Sequence, residues 1–61
     1  SSGNITIDAA ANDSDIIFKG TDGSSDTTFL TIDGSDAGTL IANHNLELGT
    51  DASEIWFGAE N

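Results

Sequence analysis

Two bulky apolar triplets, Ile16-Ile17-Phe18 and Ile55-Trp56-Phe57, constrain this chain more than anything else in it. In an extended backbone successive side chains point to opposite faces, so each triplet puts large apolar groups on both sides of a strand. Such a strand needs cover on both faces. A 61-residue chain has little cover to give, because at that size folding removes only about 60% of the surface the unfolded chain exposes. The triplets also belong to an imperfect repeat. Asn4-Ile5-Thr6-Ile7-Asp8 leads through a polar stretch to Asp15–Gly20, and Asn45-Leu46-Glu47-Leu48-Gly49 leads through a shorter one to Glu54–Ala59. The first halves lie 41 residues apart and the second halves 39, so residues 4–20 resemble 45–59. A period near 40 residues that restarts within the chain is expected of one segment, residues 1–61, of a longer quasi-periodic array.

The apolar periodicity is that of strands: Ile5 with Ile7, Ile16 with Phe18, Leu30 with Ile32 and Leu46 with Leu48 stand two apart. Thr, Ile and Phe dominate these clusters, as half-buried pleated surfaces prefer. The pattern predicts strands over 4–8, 15–19, 27–33, 38–42, 45–48 and 54–58, the fourth and fifth being either separate or one strand bent at Asn43-His44-Asn45. Asp-Gly at 22–23 and 33–34 marks turns that need positive φ. Ala9-Ala10-Ala11 is too short to nucleate a helix, so helix content should be close to nil. Six short strands at intervals of about ten residues predict an all-β fold.

The usual staples of a small domain are absent. There is no Cys, hence neither a disulfide nor a thiolate zinc site. Oligomerisation is the remaining common route to stability, and a second copy of the chain is the natural cover for two-faced strands. Eight Asp and three Glu stand against Lys19 alone, a formal charge of −10. That charge repels phosphate backbones and anionic bilayers, so neither nucleic acid nor membrane is an expected partner. An acidic, cysteine-free chain suits a salty extracellular medium, where counterions screen self-repulsion.

Asp15-Ile16-Ile17-Phe18-Lys19-Gly20-Thr21-Asp22-Gly23, then Thr28–Gly38 and the Asn43–Leu48 segment, resemble a unit of tail-fibre proteins in tailed bacteriophages, especially marine ones. The resemblance covers residues 4 to 58 and implies a homotrimeric, β-rich shaft that carries a host-recognition tip. The expected fold is therefore an elongated, intertwined homotrimeric β-fibre, built as interleaved sheets or as a triple-stranded β-helix. The expected function is non-enzymatic: a virion segment that spaces and supports host attachment, with other fibre segments as neighbours. Two other readings stand beside it. One is a subunit of an extracellular filament or adhesin stalk; the other is a calcium-dependent carbohydrate-binding β module.

Few residues invite chemistry. Asn12–Asp15, Asp22 with Asp26, and Asp33 with Asp36 offer hard oxygen ligands suited to Ca²⁺, although neither the EF-hand loop nor the RTX nonapeptide is present. The competing reading is that these side chains cap turns through local backbone bonds. Asp33 and Asp36 are the pair a cation would take. His44 on a three-fold axis would supply three nitrogens at once, as His-x-His motifs do in some phage fibres, but here it stands between Asn43 and Asn45. A polysaccharide-cleaving carboxylate pair needs a cleft that so short a strand array has few ways to form. No catalytic residue and no resident cofactor is expected. Trp56 and Phe57 match Ile17 and Phe18 of the first copy, which favours packing over sugar recognition. Lys19 should pair with a nearby carboxylate.

Overall fold

The computed structural model describes residues 2–58. Its regular structure is one antiparallel sheet of three strands in the order β1-β2-β3, comprising β1 (Ile16–Asp22), β2 (Ser25–Asp33) and β3 (Thr39–Ala42). A single turn of 3-10 helix, Gly34–Asp36, is the one helical element among the described residues. The class is all-β, as the alternation predicts.

The hairpin between β1 and β2 closes through two residues, Gly23 and Ser24, because Asp22 pairs directly with Ser25. Gly23 carries φ +67° and Ser24 does not share it, the pattern of a type II′ turn, whose twist matches that of the flanking strands. No strand is predicted over residues 20–26; in the structure the ladder runs through them as far as the turn. Tight closure holds Thr21, Asp22 and Asp26 in register although none of them is apolar.

Asp33-Gly34 behaves differently from expectation. Gly34 is not at positive φ; the reversal is made by Ala37 (φ 57°) and Gly38 (φ 91°) after the 3-10 turn. Space is what Gly34 provides. A Cβ there would collide with the Ser14 carbonyl oxygen and stand 2.9 Å from its carbon, so a side chain would push two segments apart.

The register slips by one between Phe18 and Lys19: Phe18 faces Leu30, but Lys19 faces Thr28. Phe29 is the extra residue of a β-bulge, and its carbonyl accepts the Asn43 N–H at 3.0 Å. The bulge turns Phe29 to the same face as Leu30. Its ring then lies over Gly20, with Cζ 2.6 Å from where a Cβ would stand. An aromatic ring thus fills the gap that a strand glycine leaves.

The predicted strands at 4–8, 45–48 and 54–58 are corrected by the structure: none of these segments joins a ladder. Alternation makes a segment willing to extend, but a strand exists only when a partner accepts its hydrogen bonds. These segments have none among the described residues. Two turns nonetheless recur with a spacing of 39 residues. Ser14 N–H donates to the Ala11 carbonyl (3.1 Å) with Asp13 at φ 63°, and Ser53 N–H donates to the Thr50 carbonyl (3.2 Å) with Ala52 at φ 66°. Both turns place positive φ at the third position and deliver the chain to a bulky triplet.

Candidate functional site

Period-2 alternation and the observed register assign every strand residue to a face. One face gathers Ile16 and Phe18 of β1, Phe29, Leu30 and Ile32 of β2, and Leu40 of β3. The opposite face carries an apolar row, Ile17–Thr31–Ile41, running across all three strands, and then turns polar with Lys19, Thr21, Asp26 and Thr28. On that polar part Lys19 Nζ donates to Asp26 Oδ2 at 2.8 Å, a diagonal cross-strand pair with both side chains at least half exposed. At that exposure the pair contributes about 0–1 kcal/mol.

Among the described residues no side chain is buried, and twelve large apolar residues are exposed. The molecule is correspondingly open. Its accessible surface is 5459 Å², where a compact chain of this mass exposes about 3,700 Å². Its radius of gyration is 14.9 Å, against about 10.5 Å for a compact domain of equal length. The sheet and its unpaired apolar segments are therefore the surface with the largest unmet physical demand.

Asp33 and Asp36 sit at the β2–β3 connection. Asp33 caps the 3-10 turn: its Oδ1 accepts from the Ser35 N–H (3.0 Å) and from the Ser35 hydroxyl (2.8 Å). The Ser35 hydroxyl above all, helped by the Ser35 N–H, Asp15 and the Asp36 N–H, holds the Asp33 carboxyl below its ordinary value against an opposing desolvation second only to that hydroxyl. The Thr39 hydroxyl reaches the Asp36 carboxylate at 2.8 Å, and the Gly38 N–H closes onto the Asp33 carbonyl at 2.8 Å. Asp33 and Asp36 thus each spend a carboxylate oxygen inside the turn. His44 follows β3 in a bend and is exposed. No group of three or more His, Cys, Asp or Glu positioned to hold a metal ion occurs among the described residues.

Asp15 is the residue whose role was least visible beforehand. Its Oδ1 accepts the Gly34 N–H at 3.0 Å, tying the entrance of β1 to the exit of β2 across 19 residues. The acidic cluster at 12–15 marks a turn in the sequence, but nothing local indicates that one of its carboxylates faces the second Asp-Gly pair.

No protein-family model, no curated protein and no solved structure matches this chain.

Proposed function

We propose that this protein is a structural, non-enzymatic β segment that becomes stable by assembling with copies of itself. In keeping with the resemblance of residues 4–58 to phage tail-fibre units, the assembly we propose is a homotrimeric virion fibre that supports a host-recognition tip. The observation that carries the reading is the absence of any buried side chain among the described residues, with the apolar parts of both sheet faces left open. The surface in excess of a compact chain is about 1,800 Å², whereas a standard interface takes about 800 Å² from each partner. Two neighbours per chain account for that excess. A closed three-fold ring supplies two neighbours, and its internal contacts would form the core that the single chain lacks.

An open, end-to-end filament supplies two neighbours as well, and the two free sheet edges suit it. Native mass by light scattering at two protein concentrations separates the readings. A constant mass of three chains supports the fibre trimer. A mass that grows with concentration favours the filament, and a stable folded monomer overturns self-assembly altogether.

A further inference from the structure

We infer that residues 54–58 of one copy add as a strand to the outer edge of β1 in a neighbouring copy, an inference that rests on the self-assembly reading above. Four observations converge on it. The segment has the same apolar pattern as β1, and the turn that delivers it, Thr50–Ser53, repeats the turn that delivers β1, down to its hydrogen bond and its positive φ. After Ser14 this turn leads into β1, which begins at Ile16; after Ser53 it leads into a segment that joins no ladder among the described residues. The Trp56 indole N–H donates to the Glu54 carboxylate two residues away, a contact that an extended backbone makes because alternate side chains share a face.

The place for it follows by elimination. β2 is flanked on both sides, so only the outer edges of β1 and β3 remain. β3 has four residues, and short edge strands resist pairing; β1 has seven. Among the described residues no loop or side-chain hydrogen bond reaches the backbone of β1. An added strand would also serve the faces. Ile55 and Phe57 would extend the face that holds Ile16 and Phe18, while Trp56 would extend the row begun by Ile17.

Residue-resolved amide hydrogen exchange on the full chain tests this, at concentrations above and below the assembly midpoint found by light scattering, for the wild type and for Trp56→Asp. Among the described residues the one hydrogen bond of the Trp56 side chain goes to Glu54, and unchanged protection within β1–β3 of the dilute variant serves as its folding control. The expected result is slowing of exchange by about 100-fold or more at residues 55–57 and along β1 in the assembled state. Dilution and Trp56→Asp should both abolish it. An oligomer whose residues 55–57 exchange freely, or one that gains protection along β3 instead of β1, overturns this seat while leaving self-assembly standing. Protection of 55–57 that survives dilution to a monomer overturns it too, because the segment then pairs within its own chain. A monomer at every concentration overturns both readings.

Discussion

Phe57 and Phe18 occupy matching places in the repeat but should respond differently to truncation, and the structure says by how much. Phe57 is 85% exposed in the single chain and Phe18 is 41% exposed. Full burial of a phenylalanine side chain is worth up to about 3 kcal/mol. If assembly buries what the single chain leaves open, Phe57→Ala removes about 2.5 kcal/mol per chain from assembly and Phe18→Ala about 1.2. In a three-chain assembly the concentration at half-dissociation varies as the square root of the dissociation constant. Three such losses per particle therefore raise it by about 500-fold for Phe57→Ala and about 20-fold for Phe18→Ala. The fold of the single chain should show the opposite ranking. Phe18 already packs against β2, so its truncation costs the sheet about 1.8 kcal/mol, whereas Phe57 belongs to no strand and its truncation leaves the sheet intact. Sedimentation or light scattering across a dilution series measures the first pair of effects; thermal melting of the dilute chain measures the second. Equal midpoints for wild type and Phe57→Ala would refute the argument, since a nearly free phenylalanine would then have no place in the assembly.

Gly34→Ala should destabilise the sheet by about 1–3 kcal/mol, because the new methyl group meets the Ser14 backbone and parts Gly34 from Asp15. Gly49→Ala, with open space around it and no positive φ, should melt at or slightly above the wild-type temperature. Acid should loosen the β2–β3 turn. The Asp33 carboxyl is held below its ordinary value, so its contribution is complete above the unfolded value of about 3.9 and is lost as pH falls through the lower folded value. Asp33→Asn should flatten that acid limb of the melting curve, and an unchanged limb would show that the Ser35 contacts do not matter. Salt should strengthen assembly. With a net charge of −10 the copies repel one another, and raising ionic strength from 0.1 to 1 M shortens the screening length from about 10 to about 3 Å. A half-dissociation concentration that rises with salt would instead place ion pairs between copies in control.

Much of the local structure was legible in the residues. Alternating Ile, Phe and Thr announced β1 and β2, Asp22-Gly23 announced the hairpin, and the triplet Ile16-Ile17-Phe18 required two apolar faces; all of these depend on neighbours within a few positions. The Asp33–Asp36 turn was legible as a cap for the same reason, since its bonds to Ser35 and Thr39 span at most three residues. The acidic cluster at 12–15 gave no comparable sign of its target, because Asp15 finds Gly34 only once the hairpin has folded back.

Ladder membership is where local reading stopped. Residues 4–8, 45–48 and 54–58 carry the strand pattern as clearly as 16–18 does, yet only the last acquires a partner. Extension is a property of a segment, set by side-chain alternation and branching. Pairing is a property of two segments and of the space between them. By itself, therefore, the sequence determined the all-β class, the hairpin and the two-faced apolar character. The tertiary structure alone decided that β2 is flanked on both sides, that Phe29 bulges over Gly20, and that three willing strands find no partner among the described residues. Each of those outcomes turns on which backbone groups meet across many residues, which no local pattern encodes.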